Sequence, residues 1–157
     1  MTPIMLQKEL KKELEELFAG FYSSADAEFK VRSVSVYEQN LQLEMENEEM
    51  DGDKIPYIIV RLSEGELTQW DDTEQVKVIL VFCTSDSDMK RDGYKDCMNM
   101  IQKVKERFLK NPQLGAYFNM ELPMAWAIQE DESYPIYYGG MELNFACPAI
   151  RRESAFA

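Results

Sequence analysis

The sequence predicts a single α+β domain in which two helices pack on one face of a mixed, mainly antiparallel sheet. Two observations carry this expectation: apolar residues recur at helical spacing near the N-terminus and again after Asp92, and elsewhere they alternate with polar residues in runs of strand length. Composition sets the scale, because 157 residues with 45% apolar and 29% charged positions make one ordinary domain, 1–157, with enough apolar material for a core.

Thr2 and Pro3 start the first helix. The hydroxyl can accept from an orphan amide, and proline sits in the first turn without losing a hydrogen bond. Leu6, Leu10, Leu14, Leu17, Phe18 and Phe21 then form one apolar stripe over a helix running to about Ala19, with Gly20 as its stop. In 29–37 the apolar parity switches between Phe29 and Val31 on one side and Val34 and Val36 on the other, which predicts a strand bulged near Ser33. Leu41, Leu43 and Met45 alternate with polar residues and six acids crowd 44–53, so a strand should run into an exposed acidic loop at about 44–54.

Pro56 opens the run Tyr57-Ile58-Ile59-Val60-Arg61-Leu62, and Ser63-Glu64-Gly65-Glu66 reads as its closing turn. A polar loop through Thr73 carries one aromatic, Trp70. The next run, 76–82, is apolar on both faces, which places it mid-sheet. Asp92 is the expected cap of the second helix, whose stripe is Tyr94, Cys97, Met98, Ile101, Val104 and Phe108; Asn111-Pro112 ends it. Segments 124–128 and 140–147 form a terminal hairpin with a long loop, and 151–157 is expected to be a flexible tail.

Several chemistries are closed by residue type. The chain has no histidine, so imidazole cannot serve as base, acid or metal ligand. Cys83, Cys97 and Cys147 are odd in number, widely spaced and set among apolar residues, the pattern of buried thiols in a reduced intracellular chain. No paired-cysteine or calcium-loop spacing occurs, no glycine-flanked serine forms a nucleophile elbow, and Gly139-Gly140 leads into a strand instead of a phosphate-binding helix. These absences predict a protein that is not an enzyme and uses no metal or cofactor. Charges at Lys8, Glu9, Lys11, Lys12 and Glu13 break any secretory core, and the strongest apolar run, 78–83, is far short of the roughly 20 residues that span a bilayer. No membrane association is expected.

What remains is a surface. With 17 basic and 29 acidic residues the net charge is −12, which disfavours capture of nucleic acid and favours basic partners. The residues singled out as an interaction surface are Glu44, Glu46, Glu48 and Glu49 in the acidic loop, the loop aromatic Trp70, and Tyr137 and Tyr138 in the hairpin. Trp126, Tyr134, Tyr137, Tyr138 and Phe145 form an aromatic set whose plainest role is packing a sheet face, with an oligomer interface as the rival.

The second half carries an ordered series of short motifs: Gly93-Tyr94-Lys95-Asp96, Phe108-Leu109-Lys110-Asn111-Pro112, Leu122-Pro123-Met124-Ala125-Trp126, Tyr137-Tyr138-Gly139-Gly140-Met141-Glu142 and Pro148-Ala149-Ile150-Arg151-Arg152-Glu153. In order and spacing, over about 55–153, this resembles the tail terminator, or tail completion, proteins of tailed phages and prophages. Cys97 and Cys147 depart from the apolar residues expected there, and the acidic span 44–53 has no counterpart in the resemblance. The resemblance implies a non-enzymatic structural protein that forms a ring, usually a homo-hexamer. The ring docks on the last ring of the tail tube protein, stops polymerisation and presents a surface to the head-tail connector protein. It also implies that DNA passes through the ring without specific binding, and that the protein resides in the virion tail and, during assembly, in the host cytoplasm. Two other readings stay open: another tail or connector component, such as a tube protein, and an acidic DNA mimic that inhibits a nucleic-acid-binding protein.

Overall fold

A computed structural model describes residues 2–20, 33–41, 55–87, 89, 93–131 and 133–153. Within them lie helix α1 (Pro3–Leu17), strands β1 (Ser35–Glu38), β2 (Tyr57–Glu66) and β3 (Glu74–Ser85), helix α2 (Tyr94–Lys110), and strands β4 (Gln113–Leu114), β5 (Phe118–Ile128) and β6 (Ile136–Cys147). The strands form one sheet in the order β1-β2-β3-β6-β5-β4, with β1 parallel to β2 and every other pair antiparallel. This is the mixed, mainly antiparallel α+β domain that the periodicities predict. Among the described residues no helix is long and apolar enough to cross a membrane.

Helix α1 begins as its sequence dictates: the Thr2 hydroxyl accepts from the amide of Met5 at 3.2 Å, with Pro3 in the first turn. Its stripe Leu6, Leu10, Leu14 and Phe18 is fully buried. Helix α2 buries Cys97, Met100, Ile101, Val104 and Phe108 against the same sheet face. Between them the helices cover Ile58 and Val60 of β2, Val76, Val78, Leu80 and Phe82 of β3, and Met141, Leu143 and Phe145 of β6. Phe108 meets Phe145 edge to face, ring centres 5.6 Å apart. The sheet curls into a half-barrel, so that strands from its two edges, β1 and β4, both touch α1. Arg107 closes this arrangement: its Nε donates to Glu13 of α1 and its Nη2 to the carbonyl of Gln113 in β4 at 3.0 Å.

Several elements differ from their sequence reading. Strand β2 does not end at Leu62 but continues through Ser63 to Glu66, pairing with 75–77 past an irregularity between Leu62 and Glu64. Pairing to a long neighbour supplies ladder bonds that override the local turn composition. The cap of α2 is Gly93, with no side-chain hydrogen bond, and Asp92 lies outside the described residues. The segment read as a strand over 29–37 is β1 in its last part only; 29–32, Phe21 and 42–54 also lie outside the described residues. Strand β4 and the first half of β5 were unannounced, because two residues have no periodicity and Leu122-Pro123 masks the run. Pro123 has no amide to give, and the β5–β6 register shifts across it, between Glu121 and Ala125.

Candidate interaction surfaces

The opposite sheet face has its own small core at one end, where Ile55, Tyr57, Ile59 and Cys83 are buried with Tyr37, Val81, Ile136 and Tyr138 packed against them. Tyr57 is held protonated by burial, reinforced by its neighbours Cys83 and Tyr138. This two-sided burial explains why 76–82 and 57–60 read as apolar on both parities. It also divides the aromatic set. Phe145 is core, Tyr137 packs on the helix side, Tyr138 lies on the other face, and Trp126 is 48% exposed. These residues do not form one cluster.

Nor do the singled-out surface residues converge. Glu44, Glu46, Glu48 and Glu49 lie outside the described residues. Trp70 sits in loop 67–73 beside the start of β3, which pairs with the end of β6 at Glu74 and Cys147. Tyr137 and Tyr138 pair with Thr84 and Cys83 at the far end of β3. At ~3.3 Å per residue, the ten steps from Glu74 to Thr84 put these two places roughly 33 Å apart. The sequence cues therefore mark two ends of one sheet.

At the Trp70 end, the first residues of the expected flexible tail are tied down. The amide of Arg152 donates to Asp71 Oδ1 at 2.6 Å, and its guanidinium lies over the Trp70 ring. Leu67, Cys147, Pro148 and Ile150 line a groove at this same end of the sheet. Burial pushes the Cys147 thiol up to about 11, with Glu74 adding to the effect.

At the other end, residues 129–131 and 133–135 fold back over the strand ends. The Gln129 amide donates to the carbonyl of Tyr138 at 3.0 Å, the Asp86 amide donates to the carbonyl of Pro135 at 2.9 Å, and the Tyr134 hydroxyl donates to the carbonyl of Ser87. The result is a cavity of about 220 Å³ whose lining includes Tyr94, Tyr134, Tyr137, Tyr138, Glu130 and Asp131. Behind it Thr84 Oγ1 donates to the carbonyl of Gly93 at 3.3 Å and contacts Cys97 Sγ at 3.2 Å. Tyr94, Glu130 and Asp131 were not singled out from the sequence, since nothing local shows that the start of a helix and a hairpin loop will meet.

A third surface is the outer edge of β5. Strand β4 pairs with Phe118 and Asn119 and the Met120 amide donates to the carbonyl of Pro112 at 2.7 Å, so it is beyond Met120 that β5 has no strand partner on that side among the described residues. This open stretch carries Leu122, 69% exposed, and Trp126. An edge that presents unpaired backbone groups beside exposed apolar side chains is a template for another chain. Among the described residues no group of three acids or thiols is placed to hold a metal ion. Burial pushes the Cys97 thiol up to about 11, so it stays neutral near pH 7. No protein-family model matches this chain, and no curated protein matches it.

Proposed function

We propose that this chain is a structural subunit of a tailed-phage particle, a tail terminator that assembles as a ring on the end of the tail tube. The observation that carries the reading is the open edge of β5. Leu122 and Trp126 belong to one of the motifs that resemble the terminator family, and they stand exposed on the stretch of β5 whose outer edge has no described strand partner. A closed ring needs such a patch, because each subunit contacts its neighbours through two different surfaces. A tyrosine-lined end, a tryptophan-bearing end and an open edge are three separate contact regions, as a subunit joined to neighbours, to a tube and to a connector requires.

The charge fits a conditional assembly. Subunits at −12 each repel one another until salt or a basic partner surface screens them. Assembly would then await the tube end. A lumen bordered by acids would also let DNA slide through without adhering.

Light scattering coupled to size exclusion, at low and high salt and with and without purified tail tubes, tests this, with electron microscopy of any large species. One discrete ring, formed at high salt or on tubes, is the expected result, and Trp126→Asp should abolish it while leaving a folded monomer. Long self-assembled tubes would make the chain a tube protein. A monomer indifferent to salt and to tubes would end the ring reading in favour of a charge mimic.

A further inference from the structure

We infer that the outward face of α2 is the docking surface for the acidic segment 44–53 of a neighbouring copy of this chain. The inference deepens the ring reading and rests on it, because it names what meets what where two subunits join.

Helix α2 carries basic charge that its own packing does not use. In a chain of net charge −12, its outward side holds Lys103 and Lys105, both half-buried, and Lys110, which is exposed. Helical spacing puts Lys103 and Lys110 on one flank and Lys105 on the other. The acid between them, Glu106, already accepts from Gln102 at 3.1 Å. None of the three lysines is ion-paired among the described residues, whereas Arg107 of the same helix is engaged by Glu13 and Gln113. The helix dipole explains Lys110 alone. Its field fades within the last turn, and Lys103 and Lys105 stand before that turn.

The chain itself contains a matching anion. Residues 44–53 hold six acids and no basic residue. They lie outside the described residues, but the residues that bracket them place their roots. Leu41 and Ile55 both belong to the small core on the sheet face opposite the helices. Helix α2 packs on β3, β6 and β5 on the other face, and α1 covers β1 and β2 there. To meet α2 of its own copy, the segment would have to round the β1 edge and cross α1, a helix about 10–12 Å wide.

A neighbour's α2 needs no such detour. In a head-to-tail contact through the open edge of β5, the neighbour offers the opposite end of its sheet, which is β1. The two edges lie at one height. Through the strand ladders Glu38 of β1 is level with Leu80 of β3, and so is Trp126 of β5. Helix α2 is the helix packed beside β5, so an acidic segment rooted at the neighbour's β1 end is delivered to its lysines. The contact offsets part of the repulsion between two copies at −12. Nucleic acid is the weaker candidate for this face, since it would meet the negative field of the whole chain.

The test assembles a mixture of isotope-labelled and unlabelled chain on purified tail tubes at physiological salt, where charges within about 8 Å still interact. A zero-length carbodiimide then joins contacting amines and carboxylates. Peptide mass mapping should find 44–53 joined to Lys103, Lys105 or Lys110 in pairs of mixed label, which form only between copies. Lys103→Glu with Lys105→Glu and Lys110→Glu should weaken assembly about tenfold at an unchanged melting temperature. Adding Glu44→Lys, Glu46→Lys and Glu48→Lys to that variant should restore assembly to within about threefold of wild type. Lys8→Glu with Lys11→Glu and Lys12→Glu makes the same change of net charge on α1 and should weaken assembly by less than about threefold. Equal losses in the two lysine variants, no rescue, or cross-links from 44–53 to α2 confined to one copy would overturn the inference and leave the ring reading standing. No assembly of the wild type on tubes would overturn the ring reading and the inference with it.

Discussion

The guanidinium carbon of Arg152 lies 4.9 Å from the centre of the Trp70 ring, which joins the C-terminal segment to a loop 82 positions earlier. Asp71 completes the contact, accepting from the Arg152 amide and standing 3.9 Å from its Nε. Asp71 adopts φ +59°, the left-handed conformation that aspartate tolerates better than most residues and that turns the loop at this point. The first prediction concerns what this clasp covers. Arg152→Ala should lower global stability by less than about 1 kcal/mol, because the pair is exposed. It should nevertheless loosen the segment that follows Cys147, the last residue of β6, and labelling of that buried thiol by a neutral reagent should quicken several-fold. Peptide mass mapping separates Cys147 from Cys83 and Cys97. An unchanged rate would mean that the clasp does not limit access to Cys147.

Gly93 is required by space, not by backbone freedom, since its φ is −60°. A Cβ there would fall 2.3 Å from Tyr137 Cε2 and 2.8 Å from the Cβ of Asp86. Gly93→Ala should therefore cost about 2 kcal/mol or more, read by denaturant unfolding. Adding Tyr137→Ala should cost less than in the wild-type background, because the closest clash is then gone and only that with the Asp86 Cβ remains. Gly65→Ala is the control. Its nearest neighbour would be 3.5 Å away, and the change should be close to neutral.

This contact also shows where sequence reading stops. The stripes of α1 and α2 were legible because burial against one face imposes a 3.6-residue period on Leu6, Leu10 and Leu14 and on Cys97, Ile101, Val104 and Phe108. The mid-sheet place of β3 was legible because both of its faces are covered. Gly93 read as part of a helix start, and nothing in its neighbours announces that Tyr137, 44 positions on, fills the space a side chain would need. The cavity depends on that same meeting of α2 with the terminal hairpin: Tyr94 was visible in the helix stripe and Tyr134, Tyr137 and Tyr138 in the hairpin, but their convergence was not. The turn composition of Ser63-Glu64-Gly65-Glu66 misled for a related reason. Strand pairing is a tertiary interaction, and Glu64, Gly65 and Glu66 take their ladder partners from β3.

Alkaline pH should weaken the fold through Cys97. Burial raises its thiol to about 11, with the Asp96 carboxylate adding to this and the Thr84 hydroxyl opposing it. The unfolded thiol ionises near pH 9, so below that value the group's contribution is fully present. It is lost as pH rises towards about 11, because the unfolded chain gives up a proton that the folded chain keeps. Two units at 1.36 kcal/mol each amount to about 2–3 kcal/mol. Cys147, raised to about 11 as well, adds to the decline in the same window, and Tyr57, also raised, acts in the same direction at higher pH. Urea unfolding from pH 7 to 11 should show this decline, and Cys97→Ala should flatten its lower part. An equal slope in the variant would remove Cys97 as the cause.

The last prediction concerns Gln7, the buried polar residue within the apolar face of α1. Its Nε2 donates to the carbonyl of Val60 at 2.8 Å and to Gln39 Oε1 at 3.0 Å, and Gln39 Oε1 also accepts from the amide of Leu62 at 3.0 Å. Gln39 holds φ +65° just beyond β1, and the Arg61 Nε donates to its carbonyl at 2.9 Å. One amide pair thus links α1 to the place where the parallel β1–β2 ladder ends. Gln7→Ala should cost about 1–2 kcal/mol, since it removes hydrogen bonds at a buried site, and Gln39→Ala about 1 kcal/mol, since Gln39 is itself exposed. The double variant should cost less than the sum by about 0.5–1.5 kcal/mol, because the first change already breaks the shared bond. Strict additivity in that cycle would show that Gln7 is held by Val60 alone and that Gln39 serves only the β2 edge.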